Sequence, residues 1–227
     1  MSTFNQSLLF KAVVSVCSCY AGSAAAALVS PGDFAALSGT TSAATPVLAG
    51  TVQDDPLRAF EIRDGSDNLL VSGNLQDRVS LSDDLGTLVF SPRIRDTAGV
   101  PGFAPMEIFA LQITGYGGYT TEIEFRTDGS GDQGPDSVSR SADGEGLRFH
   151  YNTSPLLPPD ESYFNSILTD ATAFAPIGTA TIFARVGSTG PIYTTTLEGI
   201  NVPVPEPTAS VLVLGALGLA ATVRRRG

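Results

Sequence analysis

The residues with the clearest chemical potential form one loop, Asp128-Gly129-Ser130-Gly131-Asp132-Gln133-Gly134-Pro135-Asp136, followed by Asp143-Gly144-Glu145-Gly146. Carboxylates and free carbonyls on a glycine-rich loop can wrap Ca2+, a hard ion that takes roughly six to eight oxygens. Asp128, Asp132 and Asp136 are the candidate ligands. Their spacing of i, i+4 and i+8 departs from the EF-hand order, and no nonapeptide repeat is present, so solvated turn aspartates are the competing reading. A second candidate is the pair Glu122 and Glu124, which strand alternation puts on one face roughly 7 Å apart, overlapping the carboxylate separations of glycosidases. The same alternation exposes both beside Arg126, where nothing raises a carboxyl toward general-acid work. His150 is the only histidine. No Gly-x-Ser-x-Gly elbow accompanies it, and one histidine cannot make a two-His or three-His metal site. Gly115-Tyr116-Gly117-Gly118-Tyr119 reads as a hairpin turn that could instead offer two rings to a sugar. Arg63-Asp64, Asp77-Arg78, Arg95-Asp96 and Arg126 with Asp128 read as guanidinium clamps on loop carboxylates.

The elements that must carry these groups alternate with a period of two. Phe60 and Ile62 fall on one side of 58–63, and Glu61 and Arg63 on the other. Similar runs recur at 69–81, 87–94, 108–114, 121–126, 147–152, 163–168, 180–186 and 192–197, nearly all bounded by Gly, Asp, Asn, Ser or Pro. This pattern predicts an all-β fold, an antiparallel sandwich of Greek-key or jelly-roll type. Residues 162–173 also carry a helical face through Phe164, Leu168 and Ala171, but Tyr163, Phe164 and Ile167 favour a strand. Residues 28–49, rich in small side chains and without a sustained period, read as a loose leader, or one ending in a partly ordered first strand around Pro46 to Val52, to a domain spanning 50–202.

Both ends read as addresses. Residues 1–27 run from Leu8, Leu9, Phe10 and Lys11 through an apolar stretch to Ala24, Ala25, Ala26 and Ala27, the layout of a signal peptide with signal peptidase as its first partner. Cleavage is expected after Ala26 or Ala27. It would remove Cys17 and Cys19, the only cysteines, leaving no disulfide, thiol nucleophile or thiolate metal site. A lipoprotein reading of either cysteine lacks the residues that should precede it. At the other end, residues 203–227 carry Val204-Pro205-Glu206-Pro207, an apolar segment 208–223, and Arg224-Arg225-Arg226. Sixteen helical residues span roughly 24 Å, enough for a thin bilayer with snorkelling arginines, and the basic end stays on the cytoplasmic side.

Those C-terminal features resemble the PEP-CTERM sorting signal, whose Pro-Glu-Pro, transmembrane helix and Arg cluster match Pro205, Glu206, Pro207 and Arg224, Arg225, Arg226. The resemblance implies a surface or matrix protein of a Gram-negative bacterium, held first at the inner membrane and processed by an exosortase-type enzyme. Between the ends, Ser72-Gly73-Asn74-Leu75-Gln76-Asp77-Arg78-Val79 and Leu168-Thr169-Asp170-Ala171 look like phrases of uncharacterised PEP-CTERM ectodomains, a group that implies no activity.

The net charge of −10 excludes nucleic acid as a partner. Between residues 28 and 204 there are nine arginines, no lysine and 22 acidic residues. The leading expectation is a non-catalytic exported protein that needs no cofactor and meets exopolysaccharide. A secreted carbohydrate-active enzyme and a Ca2+-dependent glycan-binding module are the alternatives.

Overall fold

The computed structural model of the chain describes residues 26–102 and 105–206. Thirteen strands follow in order: β1 Ala27–Leu28, β2 Phe34–Ala36, β3 Gly50–Asp54, β4 Leu57–Arg63, β5 Leu69–Ser82, β6 Leu88–Gly99, β7 Met106–Thr114, β8 Thr121–Arg126, β9 Ser137–Arg140, β10 Gly146–His150, β11 Phe164–Thr169, β12 Ala173–Val186 and β13 Ile192–Val204. A 3-10 turn at Pro46–Leu48 is the only helical element among the described residues. The all-β expectation therefore holds, and 164–169 is strand. The apolar helices expected at the two ends lie outside the described residues. Among the described residues no helix is long and apolar enough to cross a membrane.

Two antiparallel sheets face each other. One runs β1-β8-β11-β6-β5-β3, with β4 also paired to β5, and the other runs β13-β12-β7-β10-β9-β2. Their inner faces share one core, which includes Val71, Leu75, Val79, Phe90, Ile94, Ile123 and Ile167 from the first sheet and Ile108, Leu111, Ile113, Leu147, Phe149 and Ile182 from the second. Alternation explains this division, because every second side chain of each strand points inward. Two charged groups break it: Arg140 faces inward at the end of β9, opposite Leu147, and Asp77 lies on the inner face, 3% exposed. Its Oδ2 accepts from Arg58 Nε at 3.1 Å and from the Asn201 amide at 2.9 Å, which ties β4 and β5 to β13 of the opposite sheet. Burial raises the Asp77 carboxyl above its usual value, against the hydrogen bonds from Asn201 and Arg58.

The leader is not loose, and the domain does not begin at residue 50. β1 lies on β8, with Ala27 opposite Ile123 and Leu28 opposite Glu122. β2 lies on β9 at the edge of the other sheet, Phe34 opposite Ser139. The chain then bridges back at Thr40 to Arg126 and lays Leu48 on Val89 and Leu168, on the outer face of the first sheet. Residues 26–49 thus form a strap touching both layers. Small side chains hid it from periodicity arguments, and they also let it lie flat. Gly39 has φ +81°, and a Cβ there would sit 2.7 Å from the Phe125 ring. Only glycine meets both demands.

Candidate functional site

The strap reassigns the acidic pair. Glu122 is exposed, but Glu124 is 3% exposed, because residues 38–40 run along the edge of β8 there, with Thr40 bridged to Arg126. The Glu124 carboxylate accepts from the Gly39 amide at 3.0 Å, the Ser38 amide at 3.4 Å and its neighbour Phe125 amide at 3.0 Å. It acts as an anchor for backbone donors that would otherwise be buried unpaired. The expectation that Glu122 and Glu124 share one solvated face is corrected accordingly.

The structure does not bring the three aspartates of the acidic loop together. Asp128 accepts from Arg126 Nε at 3.0 Å and from the amide and hydroxyl of Ser42 in the strap. Asp132 accepts from the Glu161 amide at 2.9 Å, and Asp136 from the amide and hydroxyl of Thr153. Each carboxylate pins the loop to a different segment. Burial opposes the charge on Asp128, but the hydrogen bonds from Arg126 and Ser42 outweigh it and hold the carboxyl down to about 2. Among the described residues no group of three His, Cys, Asp or Glu side chains converges as a metal site.

The Gly-Tyr turn also differs from the sugar-platform alternative. Tyr116 is 1% exposed and stands edge-on to Phe90 in the core, with ring centroids 5.8 Å apart. Arg140, 5% exposed, fixes the turn: Nη2 donates to the carbonyls of Tyr116 and Tyr119, Nη1 to Val29 O and Thr121 Oγ1, and Nε to Gly144 O. A guanidinium satisfied by four carbonyls from three segments is a keystone, a role that no local motif announces. The Arg-Asp pairs hold in two of four cases, Arg95–Asp96 and Arg126–Asp128. Arg63 pairs with Glu61 and Asp67, Arg78 with Asp55, and Asp77 with Arg58.

His150 Nε2 lies 2.9 Å from Ser139 Oγ on the outer face of the second sheet. Burial and the nearby Arg148 charge lower its pKa, against the pull of Asp136. Asp136, the nearest candidate to orient the ring, is engaged by Thr153 instead.

The sorting-motif residues Pro205 and Glu206 are exposed. β13 stays paired to β12 as far as Val204, opposite Ala173. Pro205 has no N–H to extend the ladder, and the Glu206 carboxylate accepts from the Thr172 hydroxyl. Beside it opens a groove of about 680 Å³, lined among others by Gly117, Tyr119, Ile177, Val204 and Pro205. At the opposite end of the fold's chain, Ala26 packs beside Leu48 and Ala27 holds its ladder position. Ala24, Ala25, Pro207, Arg224, Arg225 and Arg226 lie outside the described residues.

No family model, curated protein or solved structure matches the chain. Its own residues therefore carry the functional argument. Sequence reasoning missed one group of them, Phe109, Arg148 and Phe183. They belong to three strands and meet only across the sheet, so no linear spacing joins them.

Proposed function

We propose that this chain is an exported, non-catalytic surface or matrix protein, sorted through its C-terminal segment by an exosortase-type enzyme and folded as a sandwich of Greek-key-like connectivity. The observation that carries the reading is the fit between fold and motif: the last ladder pair involves Val204, and the Pro-Glu-Pro tripeptide starts at the next residue. A processing enzyme needs an extended peptide free of sheet pairing, and two prolines around Glu206 favour that conformation. On this reading the protein passes through the inner membrane on its way to the cell surface, and exopolysaccharide is its surroundings.

The non-catalytic part rests on occupied groups. Glu124 is bound to backbone amides, Asp128, Asp132 and Asp136 are bound to three separate segments, and His150 has no carboxylate to orient it. Acid-base work needs a perturbed group facing a cavity that admits substrate.

The test is intact-mass analysis of the protein from a Gram-negative host with and without an exosortase-type enzyme. The expected mature species starts at Ala27 or Leu28 and has lost the residues after Pro207. Replacement of Pro205, Glu206 and Pro207 by alanine should leave the C-terminal segment attached. Recovery of a species with both Met1 and Arg226 in the presence of the enzyme would overturn the reading.

A further inference from the structure

Nine arginines lie among the described residues, and eight of them meet a carboxylate or a set of carbonyls. Arg148 meets neither, in a chain with far more carboxylates than cations. Its guanidinium lies 4.2 Å from the centre of the Phe183 ring, and its buried Nε, like that of Arg78, has no hydrogen-bond partner; what sets Arg148 apart is that no carboxylate or carbonyl meets its guanidinium at all. A cation left this way at the middle of a sheet gives up hydration and gains only the ring, an arrangement that an external anion would complete.

The surroundings indicate which anion. The ladders place Arg148 opposite Ser139 on one side and Gln112 on the other, Gln112 opposite Thr181, Thr181 opposite Thr196, and Ser139 opposite Phe34. The outward side chains form one row across six strands, five strand spacings or about 24 Å long. It consists of hydroxyls and an amide around a single cation, with the 67% exposed Phe34 at one end. A cavity of about 180 Å³ opens beside Arg148, Gln112 and Ser139. A bulge in β7 adds to the same face: Phe183 pairs with Ala110 and Ala184 with Ile108, so Phe109 is the extra residue. Its ring lies 6.2 Å from Phe183 and 4.7 Å from the Arg185 guanidinium. Bulges re-aim side chains in this way beside binding sites. Carboxylates near this face are either engaged, as Glu107 is by Arg185, or off the row, as Glu198 is.

We propose that this face binds an acidic saccharide, with a uronate carboxylate on the Arg148 guanidinium, ring hydroxyls on Gln112, Ser139 and Thr181, and a sugar C–H face on Phe34. A guanidinium matches a planar carboxylate with two parallel hydrogen bonds. A row of hydroxyl and amide groups suits a polyol better than the alternating side chains of an acidic peptide. At physiological salt the Debye length of about 8 Å screens the acidic remainder of the protein, so the contact is local. The proposal rests on the matrix reading above and gives that reading a ligand class.

The exported full-length protein is titrated calorimetrically with hexamers of glucuronate, glucose and glutamate, and with sodium sulfate. Binding is expected for the glucuronate hexamer, at least tenfold tighter than for the other three. Arg148→Gln should raise its Kd at least tenfold, Arg148→Lys nearly as much, and Gln112→Ala or Phe34→Ala about threefold. Thermal midpoints of these variants should stay within a few degrees of the parent. If Arg148→Gln unfolds the protein, the lysine, Gln112 and Phe34 variants decide. Equal binding of the glucose hexamer, the glutamate hexamer or sulfate would overturn the proposal, as would no binding of glucuronate. The two readings separate cleanly: a correctly processed chain that ignores glucuronate refutes this site alone, and glucuronate binding by an unprocessed chain refutes the sorting reading alone.

Discussion

On the outer face of the seven-stranded sheet, Arg78 and Arg93 lie 4.3 and 5.3 Å from the Phe164 ring centre, and each also reaches a carboxylate, Asp55 and Glu161 respectively. On the outer face of the six-stranded sheet, Arg185 and Arg148 lie over Phe109 and Phe183, and only Arg185 reaches one, Glu107. The device is the same and the finish differs. The first face is closed by Leu48 of the strap and by Glu161, whose partner Arg93 also donates to Ser162 O. Guanidinium on phenylalanine is therefore structural where the anion comes from the chain. Where the chain supplies none, it leaves a place for one.

The sharpest way to break this contrast is to remove one arginine from each face. Arg93→Ala deletes a 4% exposed side chain, removes the donor to Ser162 O and to Glu161 Oε2, and leaves Glu161 only the Asp96 amide on Oε1. The expected loss is about 3 kcal/mol, as for other broken buried pairs. Arg148→Ala should cost under about 1 kcal/mol, since it leaves no group unpaired. Both are read by urea denaturation, and equal losses would erase the distinction between the faces.

A somewhat smaller effect belongs to the cover itself. Leu48 is 2% exposed and touches the first sheet alone, so Leu48→Ala should cost about 2 kcal/mol and speed hydrogen exchange in β11 before it does in β10. Simultaneous loosening of both strands would mean that the strap braces the layers jointly.

The smallest effect is a pH signature. The Asp128 carboxyl is lowered to about 2 when folded, so its stabilisation is present above its ordinary 3.8 and disappears as pH falls through about 2. His150 is also lowered when folded, so its contribution is present above 6.5 and declines as pH drops below that value. The acid limb of the stability curve should therefore fall in two stages. Asp128→Asn should flatten the lower stage, which belongs to the strap, and His150→Gln the upper, which belongs to the open face. A single stage insensitive to both substitutions would refute the assignment.

Nine strands were legible from the sequence because their apolar residues alternate, and most boundaries fall within a residue or two of the expected ones. β1 and β2 were not legible, since an Ala-Leu pair and Phe-Ala-Ala carry no period, and β9 was lost among serines. Alternation correctly exposes Glu122 and wrongly exposes Glu124, because it knows only the sheet and not a segment returning from nearly 90 positions away. The turn at 116–119 was legible from its glycines, but the burial of Tyr116 was not, for a related reason: nothing local says that the turn folds inward onto Phe90. The candidate face was illegible throughout, since Ser139, Arg148, Gln112 and Thr181 become neighbours only through register.

The strap also sets an order of events in time. Val29 accepts hydrogen bonds from Thr121, 92 positions later, and from Arg140, 111 positions later. At roughly 5 to 20 residues per second, Arg140 is synthesised about 5 to 20 s after Val29. Throughout that interval the strap presents β1 as a raw edge and Leu48 without Leu168, because β8 is made only near its end and Leu168 after it, the conditions under which strands of neighbouring chains pair. The first segment made is among the last to close, so the yield of folded protein is governed by whatever shields that edge during the wait.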